Sequence, residues 1–223
     1  MEIAGPTQSA KSEIVLNLIC ATILSVEKNC EGKHVLVLDL DRKFDLLRLS
    51  TLLEHAIRRA LVLRSLPARE EDVEDLIRQA LDSLHIVQVS SFFECRMTLL
   101  SLKRYLRLNP KIDLVVIDPA TCLFMERYHG STTGPLDSSL CSSIAELLKG
   151  QRVKIVATKQ LFRNSAGALY EPRENIDFEW TKLVNYRFVV QSDSSPRGFT
   201  VRRIGSEIHH RFHIDEDGIR PSA

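Results

Sequence analysis

Gly5-Pro6-Thr7-Gln8-Ser9-Ala10-Lys11-Ser12, close behind the short stretch Glu2-Ile3-Ala4, decides how the rest of the chain is read. The octapeptide fits the phosphate-loop pattern GxxxxGK[ST] except that Ala10 stands where the second glycine belongs. Such a loop surrounds phosphate oxygens with backbone N–H groups, sets a lysine on the β and γ oxygens and a hydroxyl on Mg²⁺. Gly5 to Ser12 would form that cradle, with Lys11 as the cation and Ser12 as the hydroxyl. Glu2-Ile3-Ala4 reads as the stub of a strand. Ile14, Val15, Leu18, Ile19, Thr22, Ile23 and Val26 then keep 3.6-residue spacing, so the loop opens an amphipathic helix as the motif requires. Ala10 puts a methyl group where backbone must approach phosphate closely. A turn with a solvent-facing lysine is the plainer alternative.

Outward from the loop, the chain alternates. His34-Val35-Leu36-Val37-Leu38 is a continuous apolar run suited to a strand buried on both faces. Leu46, Leu49, Leu53, Ile57, Ala60 and Leu61 predict one face of a long helix that Pro67 ends. An acidic helix follows from Glu70 to Ser83, then a strand over Leu84–Val89. A helix is expected from Ser91 to Leu108 with Phe93, Met97 and Leu100 inward. Ile112–Asp118 and Val153–Thr158 read as further strands, with a helix over Asp137–Lys149 between them. Strand–helix alternation of this kind predicts an α/β fold: a mostly parallel twisted sheet with helices on both faces. Arg187–Gln191, Phe199–Ile204 and Arg211–Ile214 are short strands divided by Ser, Gly and Pro turns. They predict an antiparallel meander on the sheet edge, so residues 1–223 are expected to form one domain.

With 44% hydrophobic residues the chain can bury a sizeable core, and 30 Lys+Arg against 29 Asp+Glu leave no global field. Any nucleic-acid contact must come from a local basic patch. The five cysteines, Cys20, Cys30, Cys95, Cys122 and Cys141, form no CxxC pair and read as reduced thiols of a cytosolic or nuclear compartment. No apolar run approaches the roughly 18 residues of a membrane span, and no signal peptide is visible. A soluble, internal protein is expected.

Asp118 ends the strand Leu114-Val115-Val116-Ile117, where a carboxylate beside the loop would hold Mg²⁺ with Ser12. Asp39 and Asp41 close the strand from Val35; one of them orients an attacking water, or both are turn carboxylates. Gln160 lies just past the fifth strand, where a γ-phosphate could be sensed. His209, His210 and His213 lack the pattern of a zinc site and join Arg202, Arg203 and Arg211 in a mildly basic surface. Arg127, Arg163 and Arg173 fall in two long irregular loops, 125–135 and 161–176, beyond the C-terminal strand ends, where α/β sheets bind ligands. They are candidate DNA contacts or merely solvated charge.

Together, the phosphate loop, Val35-Leu36-Val37-Leu38-Asp39-Leu40-Asp41, Phe44-Asp45-Leu46-Leu47-Arg48-Leu49 and Leu52-Leu53-Glu54-His55 closely resemble the recombinase paralogues of the RecA family. The likeness continues through Leu114 to Asp118, Ala157-Thr158-Lys159-Gln160 and Trp180 to Phe188. It implies a RecA-like P-loop ATPase core acting in the nucleus as an accessory protein of homologous recombination. Relatives work in complexes with other paralogues, help the main recombinase load on single-stranded DNA and protect replication forks. By the same resemblance Lys11 and Ser12 contact the nucleotide, Asp118 faces Mg²⁺, Asp41 falls where active recombinases carry a catalytic Glu, and Gln160 is the sensor. ATP and Mg²⁺ are the implied cofactors. Asp41 is one methylene shorter than Glu, which with Ala10 points to a degenerate site. The segment with which relatives dock on a neighbour is expected to be absent, or the chain is a fragment or a shortened isoform.

Three functions are therefore set side by side. The first is a binding subunit with a weak or silent nucleotide site. The second, resting on Lys11, Ser12 and Asp118, is an active DNA-dependent ATPase or strand-exchange protein. A P-loop small-molecule kinase is the third, and the stretch from Asp39 to His55 argues against it.

Overall fold

The structure, a computed structural model, describes residues 1–24, 33–122, 144, 153–163, 169–170, 178–193, 195 and 197–222. Its elements run β1 (Glu2–Gly5), α1 (Lys11–Ile23), β2 (His34–Asp39), α2 (Leu46–Leu63), α3 (Glu70–Leu81), β3 (Leu84–Gln88), α4 (Phe92–Leu108), β4 (Ile112–Asp118) and β5 (Lys154–Gln160). A two-stranded ribbon of β6 (Phe162–Arg163) and β7 (Leu169–Tyr170) follows, then α5 (Phe178–Leu183), β8 (Arg187–Ser192), β9 (Gly198–Arg203), β10 (His209–Asp215) and β11 (Gly218–Pro221). Of the helix expected over 137–149, only Ile144 is among the described residues, and it is buried.

The main sheet has the order β11-β10-β9-β8-β1-β5-β4-β2-β3. From β8 to β3 every neighbouring pair is parallel; from β8 to β11 every pair is antiparallel. The parallel sheet and the antiparallel meander are thus both present. The stub of sequence at the N-terminus is not marginal, however: β1 lies between β5 and β8 and joins the two halves of the sheet. Its place is fixed from outside the strand. Fully buried Glu2 accepts a hydrogen bond from Trp180 Nε1 at 2.6 Å and pairs with Arg187 Nε at 2.6 Å.

Alternate side chains of the central strands feed two cores, as the period of a strand requires. Val35, Val37, Leu114 and Val116 pack toward α1 and α2, whereas Leu36, Leu38, Val115 and Ile117 pack toward α4 and Trp180. Burying each contributes roughly 1.5–3 kcal/mol, which is why these uninterrupted apolar runs become interior strands. Asp45 caps α2 by accepting from Arg48 N at 2.8 Å, and Ser91 caps α4 by accepting from Glu94 N at 3.2 Å.

On α4 the expected phase is wrong. Cys95, Leu99, Leu102 and Leu106 face the core, while Phe93, Met97 and Leu100 are 70%, 50% and 56% exposed. Both sets have helical spacing, and the packing of α4 on the sheet buries the first. β11, α5 and the β6–β7 ribbon, absent from the sequence reading, complete the fold. The hairpin β10–β11 folds back over α1 and α2, where Arg48 donates to Glu13, to Asp215 O at 2.7 Å and to Glu216 O at 2.7 Å. At its turn Gly218 has φ 109, and a Cβ there would lie 2.6 Å from Asn17 Oδ1. Among the described residues, no helix is long and apolar enough to cross a membrane.

Candidate nucleotide site

Gly5, Asp39, Asp118 and Gln160 end four parallel strands on the same edge of the sheet, with Gly5 paired to Gln160 and Asp39 to Asp118. That edge, outside the carboxyl ends of the strands, is where such sheets take ligands.

The loop between β1 and α1 keeps the shape its sequence implies. A Cβ on Gly5 would fall 2.4 Å from both Ser9 Oγ and Val190 O, so only glycine fits. Ser9 is buried. Ala10, at the N-terminus of α1, holds φ 65 and ψ 12, the left-handed region that a glycine enters freely; Gln8 also has φ 60. A left-handed L-residue costs about 1–2 kcal/mol, so the missing glycine is offset by strain rather than by a change of loop shape. Lys11 Nζ turns back on the loop, donating to Pro6 O at 2.7 Å, Gly5 O at 2.9 Å and Ser9 Oγ at 3.3 Å. Burial brings its pKa down to about 8, although the Asp118 carboxylate works the other way. Burial likewise holds Asp118 above the usual carboxylate range, against a hydrogen bond from Thr158 Oγ1. For both groups desolvation outweighs their mutual attraction. Ser12, on the first turn of α1, is exposed.

Gln160 bridges the end of β5 to the loop: its Nε2 donates to Thr7 Oγ1 at 2.8 Å and its N donates to Thr121 Oγ1 at 2.9 Å. Asp39 accepts from Lys43 N at 3.1 Å and Phe44 N at 3.3 Å, which makes it the holder of the β2–α2 connection. Asp41 is half-buried and pairs with Lys43 Nζ at 3.0 Å. Thr7 belongs to the cradle expected from sequence, whereas Thr158 is given no role at the site by the sequence reading. Thr158 stands two residues before Gln160 and so on the same face of β5, a spacing that could have pointed to it.

The residues fit a nucleotide with Mg²⁺: Gly5 keeps the cradle open, Lys11 would take phosphate oxygens, and Ser12 and Asp118 would hold the cation. A nucleotide held there would supply a phosphoanhydride as the reactive group. Of the candidate DNA contacts, Arg163 lies on β6, and Arg127 and Arg173 lie outside the described residues. His213 bonds to Asp215 at 3.3 Å and to Ser222 Oγ at 3.3 Å, and no group of three metal-ligating side chains occurs among the described residues.

This sheet order with a phosphate-type loop after its central strand defines a P-loop α/β protein with the fold of the RecA-type recombinases. The crystal structure of the RadB recombinase matches it with a TM-score of 0.68 over 100% of this chain and 90% of that one, at 18% identity. In sequence the chain is similar to the DNA repair protein XRCC2 of Mus musculus, 24% identical over a match that covers 98% of this chain and 83% of that protein. No protein-family model matches.

Proposed function

We propose that the chain is an accessory subunit of homologous-recombination repair, working in the nucleus within a complex of recombinase paralogues that assists recombinase loading on single-stranded DNA and protects replication forks. The similarity to a DNA repair protein over 98% of the chain supports the repair role. The state of the loop carries the mechanistic part. Lys11, Ser12 and Asp118 are kept, yet Ala10 is strained and Lys11 is engaged by the loop's own carbonyls. Nucleotide binding must break those bonds, so ATP with Mg²⁺ binds weakly. Hydrolysis is negligible because Asp41 is short for a water-orienting base and is drawn to Lys43. Gln160 acts on the loop through Thr7. Arg127, Arg163 and Arg173 remain the proposed contacts to DNA.

Assembly is supported by the sheet edge. β3 is an edge strand with Ile86 37% exposed on the α2 side of the sheet, and on the opposite side α4 leaves Phe93, Met97 and Leu100 exposed at helical spacing. Open edges and apolar patches of this kind favour association.

Two measurements test the reading. Co-expression with recombinase paralogues should give a stable heteromer that Phe93→Asp with Leu100→Asp disrupts; a chain that stays monomeric with every paralogue overturns it. Titration of a fluorescent ATP analogue with Mg²⁺ should show weak binding lost in Lys11→Ala, with negligible turnover. Brisk DNA-stimulated hydrolysis by the isolated chain would favour the active ATPase instead.

A further inference from the structure

The antiparallel meander has two unlike faces. Val190, Val201, Phe199, Phe212, Ile214 and Ile219 pack into the core on the α1 side. Cross-strand partners share a face, so the pairs Arg202–His209, Thr200–Arg211 and Arg220–His213 stand together on the other one. Arg202, His209 and Arg211 are exposed there.

Charge on this face is unevenly compensated. Arg220 is held by Asp215 at 3.4 Å and by Asp217. Arg211, with 70% of its side chain exposed, reaches a carboxylate, Asp193, only at 3.9 Å. The row Val189–Arg202–His209 and the row Gln191–Thr200–Arg211 contain no acidic residue. Arg211 is the diagonal neighbour of Arg202, which sets the two stems roughly 7–8 Å apart. That is comparable to the separation of successive phosphates along a nucleic-acid strand. Guanidinium groups suit phosphate through paired N–H donors, and Thr200 beside Arg211 and Gln191 beside Thr200 add a hydroxyl and an amide to the same face. Guanidinium, hydroxyl and amide groups all reach phosphate oxygens, so contact with a backbone is favoured over sequence reading.

We propose that this face of β8–β10 binds the phosphate backbone of a nucleic-acid strand through Arg202 and Arg211, residues other than the candidate contacts Arg127, Arg163 and Arg173. The inference rests on the DNA-repair reading but adds a site to it. The test is fluorescence anisotropy of a labelled mixed-sequence single strand with the full chain across a salt series. Arg202→Ala with Arg211→Ala should weaken binding about tenfold and flatten the log–log salt dependence by about 1.4, two contacts at about 0.7 each. Arg202→Lys with Arg211→Lys should keep most of the slope, and thermal melts should show both variants folded. An unchanged slope in the alanine variant, in a chain that does bind the strand, overturns this face and leaves the repair reading intact. Polyglutamate displacing the strand as well as an unlabelled strand of equal charge also overturns it, in favour of an acidic protein partner. A wild-type chain that binds no strand at low salt sinks the face too, while heteromer formation decides the repair reading separately.

Discussion

Gln160 Nε2 donates to Thr7 Oγ1 at 2.8 Å, tying the last residue of β5 to the loop that follows β1. The two residues are 153 apart in the chain, and the parallel pairing of Gly5 with Gln160 brings them together. The loop is therefore not positioned by its own helix alone. Removing the tie in Gln160→Leu should cost about 1 kcal/mol of loop order, the usual net value of one hydrogen bond. The expected result is roughly fivefold weaker binding of the fluorescent ATP analogue, with the melting temperature nearly unchanged. Equal binding by the variant would show the tie to be dispensable.

Ala10 offers a test in the opposite direction. Glycine at φ 65 relieves the left-handed strain, and the freer unfolded chain takes back part of the gain. Ala10→Gly should stabilise the protein by about 0.5–1 kcal/mol in urea denaturation and tighten nucleotide binding. A destabilised variant would mean that the methyl group makes compensating contacts.

For Lys11 the pH dependence has a definite sign. Its folded pKa, brought down to about 8 by burial, lies below its ordinary value of 10.5, so the unfolded chain binds more protons between these limits. Stability contributed by this group should rise as pH increases from about 8 to 10.5. The difference in unfolding free energy between wild type and Lys11→Met, followed across that window, should grow; a flat difference refutes the burial argument.

Arg48 is the clasp of the C-terminal hairpin. It meets Glu13 Oε1 at 2.6 Å in a mostly buried pair and also donates to the carbonyls of Asp215 and Glu216. Arg48→Ala should destabilise the chain by about 2 kcal/mol, as expected for hydrogen bonds to a charged group. Amide exchange should quicken first in β10 and β11. Uniform loss of protection would instead make the hairpin part of the global unfolding unit.

Trp180, the single tryptophan, donates to the carboxylate of Glu2, which also faces Arg187. Glu2→Gln leaves the mostly buried Arg187 side chain without its counter-charge and should cost about 3 kcal/mol. The emission of Trp180 should shift with it. A silent spectrum and unchanged stability would contradict the buried pair.

Periodicity and the phosphate-loop pattern carried much of this molecule in one dimension. The run Val35 to Leu38 and the stretch Ile112 to Asp118 are too apolar for anything but interior strands, and the loop from Gly5 to Ser12 names its own chemistry. Local order also marked Asp118 and Gln160, because both stand where apolar strands give way to turns. Tertiary structure decided what depends on partners distant in sequence. α4 has two apolar stripes of equal spacing, and only its seat on the sheet buries Cys95, Leu99 and Leu102 and leaves Phe93 and Met97 outside. A four-residue strand reads as a stub until β5 and β8 pair with both its edges. Likewise, nothing local to Lys11 foretells that burial depresses its pKa, or that it bonds to Gly5 and Pro6. Periodicity reports what a segment can bury; which surface it meets is set by the chain as a whole.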